Sequence, residues 1–275
     1  MGQCGLGQCR PQHGVGGQND ISAARNVDAV PGSGLPRTCD RSLEVQPFRV
    51  LVMKVQIYEH VHPEDAAASV QCGVDFIGVK PGEQNLSPGE LSYARCREIF
   101  AAVPPDSGCL RVALTVSNDL AAVAATVRTV EPDVIHLSGD TARLDPAAVA
   151  AFRVSLDPVR VMLAISVAGP ASIPLAKSFE KAVDILLLDS PGRDQAVGAT
   201  GQTHDWHVSA ELVQRVHVPA VLAGGLSPDN VKAAIKQVRP WGVDSFTHTN
   251  LAGSRRKDRA RVAAFVSHAK AAGYG

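Results

Sequence analysis

The chain has 275 residues, enough for one barrel-sized domain with extra sequence or for two small domains. Its 27 basic and 27 acidic residues cancel, so no polyanion and no membrane surface is implied as a partner. A hydrophobic content of 45% and a mean hydropathy of +0.03 are those of a soluble globular protein, no apolar run approaches a membrane span, and no apolar stretch of the signal-peptide kind opens the chain.

Six cysteines stand at Cys4, Cys9, Cys39, Cys72, Cys96 and Cys109, with no C-x-x-C pair. That spacing argues against a disulfide framework and against a zinc site, and for a reducing cytoplasm. Residues 1–48 hold eight of the 24 glycines and four of the 18 prolines, with few large apolar residues and no period. Such a segment buries too little to offset its ordering entropy, so a disordered tail is expected there, followed by a folded domain over 49–275. Met53 opens the first strand and offers an alternative start, leaving 223 residues.

From Phe48 a unit recurs about every 25 residues, as repeated βα modules would. Strands are expected near 50–57, 74–80, 110–116, 133–137, 159–165, 184–188, 219–223 and 242–245. Most are rich in Val, Ile and Leu with little alternation, the pattern of parallel strands buried on both faces. Ser87-Pro88, Asp145-Pro146 and Ser227-Pro228 each read as a capping side chain before a first-turn proline, and Glu90 completes a capping box with Ser87. His62-Pro63 and Asn118-Asp119 are weaker versions of the same signal. Eight such units without a dinucleotide fingerprint predict an α/β fold of the (β/α)8 TIM-barrel type, with its chemistry at the carboxyl ends of the strands.

Several residues stand where that chemistry would be. Asp189 ends the apolar run Ile185 to Leu188, and partial desolvation there would raise its pKa and suit it to general-acid work. Gly224-Gly225 follow the seventh strand and could let backbone amides approach a phosphate, although a tight βα turn would use the same glycines. The Gly198–Gly201 loop is suited to closing over a ligand, and Asp205-Trp206 to starting the next helix. His60 and His62 have no carboxylate or cysteine at metal-site spacing, so no metal is expected. Lys54 would face the barrel interior alongside Gln56 and would then need an acidic partner.

With these residues in place the chain resembles the phosphoribosylanthranilate isomerase family of tryptophan biosynthesis. The resemblance covers most of 50–272 and rests on L-L-L-D-S ending at Ser190, G-A-T-G-Q-T-H-D-W at 198–206 and A-G-G-L-S-P-D-N at 223–230. G-V-D-F-I-G at 73–78, G-V-D-S at 242–245 and Lys257-Asp258 extend it. It implies a cytoplasmic enzyme, monomer or homodimer, that performs an Amadori isomerisation of a phosphorylated sugar amine with no cofactor, metal, nucleic acid or membrane. It implies Asp189 as general acid, and Gly224, Gly225, Gly198, Thr200, Gly201, Asp244 and Ser245 as substrate and phosphate contacts.

Departures from the family pattern fall on one site. Gln56 is placed where the family keeps its cysteine base, and an amide cannot accept a proton from carbon at useful rates. The arginine that follows the second strand and faces the anthranilate carboxylate is missing from V-K-P-G-E-Q-N-L-S-P, and a Ser-Ser-Gly phosphate loop has become Ser245 to Asn250. Random decay would have damaged Asp189 and the Gly-Thr loop as well. Turnover of phosphoribosylanthranilate is therefore expected to be weak or absent unless Glu59, Glu83 or His136 replaces the base. Two alternatives stay open: an isomerase or epimerase of another phosphosugar, with Lys80 or His248 as new contacts, and a non-catalytic barrel that binds a phosphorylated metabolite.

Overall fold

The computed structural model describes residues 52–83, 88–191 and 203–273. The tail expected over 1–48 and the Gly198–Gly201 loop lie outside the described residues. In chain order the elements are β1 (Lys54–Ile57), α1 (Pro63–Gln71), β2 (Phe76–Val79), α2 (Tyr93–Ala101), β3 (Leu110–Thr115), α3 (Leu120–Val130), β4 (Val134–Leu137) and α4 (Pro146–Ser155). The second half continues with β5 (Arg160–Ser166), α5 (Ser172–Phe179), β6 (Ile185–Asp189), α6 (Trp206–Arg215), β7 (Ala220–Leu222), α7 (Val231–Val238), β8 (Gly242–Ser245) and α8 (Arg259–Ala272). The eight strands are parallel, pair in sequence order and close through β8 on β1. The (β/α)8 barrel read from the sequence is the fold.

Alternation along each strand sends one residue inward and the next outward under the helices. Val55, Ile57, Ile135, Leu163, Leu186 and Leu188 belong to the outer layer between barrel and helices, whereas Phe76, Val112, Val134, Met162, Ile185 and Val221 fill the lumen. Both faces are buried, so most strands read as apolar runs, with Gln56 in β1, His136 in β4 and Asp244 in β8 as buried polar exceptions.

The amino-terminal face of the barrel repeats one device. Asp75, Asp133 and Asp184 each stand just before an even-numbered strand and accept the backbone N–H of the odd-numbered strand beside it: Val55 at 2.9 Å, Arg111 at 2.9 Å and Val161 at 2.8 Å. A cation pairs with each carboxylate, Lys54 with Asp75 at 3.0 Å, Arg111 with Asp133 at 2.8 Å and Arg153 with Asp184 at 2.6 Å. Lys270 also pairs with Asp75, tying α8 to the seam. Lys54 thus has the acidic partner expected for it, but its side chain is 36% exposed at the barrel's lower rim and not buried in the lumen.

Asp119, Asp145, Asp205 and Asp258 cap α3, α4, α6 and α8 by accepting first-turn N–H groups. Two expected helix starts are displaced. Gly89 sits at φ +84°, which no helix admits, so Pro88-Gly89 form a turn and α2 begins at Tyr93 behind the Ser92 cap. Ser87, the other half of that expected box, lies outside the described residues. Ser227-Pro228 likewise open a turn, with Ser227 O accepting from Asn230 N and Val231 N, and α7 starts only at Val231. Proline fits the second position of a turn as well as it fits a first helical position.

Candidate active site

The register sorts the lumen into layers, each contributed by alternate strands as in barrels of this type. Gln56 lies in a layer with Val112, Met162 and Val221. Above it, toward the carboxyl ends, come Gly78, His136, Leu187 and Asp244, and above these Tyr58, Leu114, Ala164 and Ala223. Asp189, last residue of β6, continues the inward series of Ile185 and Leu187 to the rim.

Asp189 is half-buried there, and its carboxyl accepts the Ser190 N–H at 2.7 Å. Burial raises its pKa to about 6, the Ser190 hydrogen bond acting against that rise. A second carboxyl, Asp244, is buried two layers deeper, level with Leu187. Burial first, and the neighbouring Asp189 carboxylate second, raise its pKa to about 8, so it holds its proton at neutral pH. Two acidic groups with separated pKa values thus share one mouth.

Gln56 is 1% exposed, and neither amide atom has a hydrogen-bond partner among the described residues. Its layer partners Val112, Met162 and Val221 are apolar, and Asp244 is its register partner across the β8–β1 seam. Tyr58, the next inward residue and the first after β1, stands one layer below Asp189 and is 4% exposed. The Tyr58 hydroxyl lies 3.2 Å from His136 Nδ1. Its ring crosses β2 over Gly78, where an added Cβ would come within 2.4 Å of a ring carbon. Burial, then Asp244 and Glu59, push the phenol well above its usual pKa. Burial alone lowers His136 to about 3, and its Nε2 has no partner among the described residues.

The other suggested bases are otherwise engaged. Glu59 is buried against Arg255 in an ion pair, beneath Gly89. Burial raises its pKa, opposed by Arg255, Lys80 and Lys257. Glu83 accepts the Tyr93 N–H at 2.7 Å, serving the start of α2. The described thiols are remote in character as well, with Cys96 and Cys109 buried and pushed up to about 12. His60 bonds Ser69 Oγ at 2.9 Å, His62 lies beside Arg95, and no metal-ligating cluster forms among the described residues.

Gly224 and Gly225 follow β7 with φ of +82° and +62°. Among the described residues no acceptor takes either amide, while Gly225 O is held by Asn230 Nδ2 at 3.0 Å. Ser190 Oγ and His204 pack under this turn, so closely that a Cβ on Gly224 would lie 2.3 Å from that hydroxyl. His204 is fixed from both sides, Nδ1 at 3.3 Å from Ser190 Oγ and Nε2 at 2.6 Å from Ser209 Oγ, and burial holds it neutral with a pKa of about 4. Two expected ligand contacts are corrected. Ser245 is 2% exposed and donates its hydroxyl to Leu226 O at 2.7 Å, bracing the β7 loop from behind. Asp244 lies inside the barrel, buried below the rim and protonated at neutral pH.

The family model for N-(5'-phosphoribosyl)anthranilate (PRA) isomerase matches residues 58–267. The Haloferax volcanii N-(5'-phosphoribosyl)anthranilate isomerase is 38% identical over 208 residues, covering 76% of this chain and 89% of its own. The chain belongs to the N-(5'-phosphoribosyl)anthranilate isomerase family. The Thermotoga maritima phosphoribosyl anthranilate isomerase structure superposes with a TM-score of 0.68 at 26% identity, covering 80% of this chain and 99% of that one. Another phosphoribosyl anthranilate isomerase, solved with reduced 1-(o-carboxyphenylamino)-1-deoxyribulose 5-phosphate, has a TM-score of 0.65 at 24% identity, with 80% and 99% covered.

Within this isomerase family's barrel, sequence reasoning missed Tyr58 and carried Ser190, His204 and Lys257 only as letters of motifs, without their contacts. The Lys257 ammonium is buried and bonds Tyr58 O and Asn250 Oδ1, the latter at 2.6 Å, beneath the Phe246 ring. Burial lowers it to about 7, with Asp244 and Glu59 opposing. A signal for Tyr58 was available: Lys54, Gln56 and Tyr58 alternate onto one side, and Tyr58 directly follows β1. Among the described residues no helix is long and apolar enough to cross a membrane.

Proposed function

We propose that the barrel isomerises an N-(5-phosphoribosyl) aromatic amine, with phosphoribosylanthranilate as the first substrate to test, to the 1-amino-1-deoxyketose 5-phosphate. The observation that supports this most is the pairing, at neighbouring strand ends, of the half-buried Asp189 carboxyl with the open amides of Gly224 and Gly225. Those amides receive the phosphate, and Gly198, Thr200 and Gly201, outside the described residues, are proposed as further contacts by their likeness to the family motif. Asp189 protonates the ring oxygen, the C1–O bond breaks, and an iminium forms at C1. Loss of the C2 proton then gives an enaminol that tautomerises to the ketose. No step calls for a cofactor, and free Cys72, Cys96 and Cys109 suit a reducing cytoplasm.

The test is turnover of phosphoribosylanthranilate generated in situ, with binding of the reduced deoxyribulose phosphate analogue measured alongside. Wild-type protein should bind the analogue in competition with inorganic phosphate, and Asp189→Asn should lose turnover but keep binding. No binding of the analogue at millimolar concentration, or undiminished turnover by Asp189→Asn, would overturn the reading.

A further inference from the structure

Removing a proton from C2 needs an acceptor at the mouth, and the described groups there narrow the choice. Gln56 is an amide set below the rim, Glu59 is ion-paired with Arg255, and Asp244 keeps its own proton at neutrality. Tyr58 differs from all three. Its ring is carried by β1, laid over the one β2 position without a side chain, Gly78, and brought by its hydroxyl to His136 on β4. The phenol therefore spans the floor of the mouth, beneath the rim that Asp189 occupies. Its backbone is fixed too, since Tyr58 N donates to Ser245 O at 3.0 Å and Tyr58 O accepts from the Lys257 ammonium. His136 brings a second, independent feature, a buried ring nitrogen with no partner among the described residues.

We propose that Tyr58 takes the C2 proton of the ring-opened substrate while it passes its own phenolic proton to His136 Nδ1, an inference that rests on the isomerase reading above. The C2–H electron pair becomes the C1=C2 bond, and the C1=N π pair returns to nitrogen as a lone pair. The positive charge thus leaves the iminium and appears on the imidazole, so the number of charges in the mouth is unchanged. In the second half His136 returns the proton through Tyr58 to C1. The C2 hydroxyl proton goes to the Asp189 carboxylate, which regains what it gave to the ring oxygen. Both side chains end as they began. Neither member ionises alone at neutral pH, because burial raises the phenol and lowers the imidazole. A concerted relay moves two protons together, from C2 to the phenol oxygen and from the phenol to His136 Nδ1, so no free phenolate forms.

Tyr58→Phe keeps the ring over Gly78 and removes one oxygen, so its fold is checked by thermal melting against wild type. It should lower kcat about 100-fold or more, the usual range for a lost acid–base group, with KM and affinity for the reduced analogue within about threefold. His136→Gln, a positioning and relay variant, should lower kcat comparably with KM unchanged, and a primary isotope effect from C2-deuterated substrate should grow in both. A packing role alone would leave kcat of Tyr58→Phe intact, and retention of more than about a third of it overturns the proposal. Wild-type protein that fails to turn over the substrate overturns it as well. If that inactive protein still binds the analogue, the family site stands and only the proton acceptor has been misassigned; if it does not bind, the isomerase reading has failed too.

Discussion

Gln56 and Asp244 are register partners across the β8–β1 seam, each buried, each with a polar atom that finds no partner among the described residues. The amide lies close enough to draw the carboxyl's pKa down, but it does not reach hydrogen-bond geometry, and burial wins by raising Asp244 to about 8. A buried unsatisfied amide costs about 1–3 kcal/mol, so Gln56→Leu should stabilise the barrel by an amount in that range. Denaturant unfolding at pH 7 measures it, and a destabilised variant would show that Gln56 has a bonded partner.

Asp244 also makes stability pH-dependent, with a definite sign. Its folded pKa lies above the unfolded value of 3.8, so between about pH 4 and pH 8 the folded state binds the extra proton. This contribution is complete below about pH 4 and is lost as pH rises through 8. Asp244→Asn should therefore flatten the fall in melting temperature over that window, and gain on wild type by several degrees toward pH 8. Melting curves from pH 4 to 9 check it.

Asp189 as general acid must hold its proton in the free enzyme. With its pKa at about 6, kcat/KM should fall tenfold per pH unit above that value. Asp189→Asn should remove this limb and lower kcat/KM by about 100-fold to 10,000-fold, the usual contribution of a positioned acid. A pH–rate profile of both proteins decides it.

Most of the barrel could be read in advance because its strands are buried on both faces. Ile185 to Leu188 and Val161 to Ile165 are short, wholly apolar runs, and Asp145-Pro146 and Asp205 mark helix starts that the fold keeps. Depth within the lumen was not legible. Inward parity puts Lys54, Gln56 and Tyr58 on one side, but the stagger between strands decides which of them reaches the rim, and stagger is a property of the closed sheet. Ser227-Pro228 failed for a different reason, since the same two residues serve a turn and a helix equally well.

Gly224 is required twice over, by its φ of +82° and by the Ser190 hydroxyl and His204 ring beneath it. Gly224→Ala forces a side chain into the left-handed region, at about 1–2 kcal/mol, and into that hydroxyl. The turn must shift, and its amides with it. KM and the inhibition constant for inorganic phosphate should both rise about tenfold or more, with kcat changed less. Steady-state kinetics with phosphate as competitor tests this, and unchanged phosphate inhibition would place the anion elsewhere.

At the opposite face, Asp184 accepts Val161 N–H and both closes and charges a bond to Arg153, while Asp133 does the same for Arg111. These carboxylates are only 13% and 15% exposed, so loss of either leaves a half-buried guanidinium and a strand-end amide without their acceptor. Asp184→Ala and Asp133→Ala should each destabilise by about 2–3 kcal/mol, as expected for bonds to charged groups. The two clamps meet at β5, where Arg160 N donates to Asp133 O beside the Val161 that Asp184 holds, so the double variant should depart from the sum of the single losses. Because both lie below the lumen's apolar layers, kcat of the folded fraction should be unchanged in all three. Urea unfolding together with active-site-normalised rates tests both halves, and a kcat loss in Asp184→Ala at full folding would mean that the two ends of the barrel are coupled.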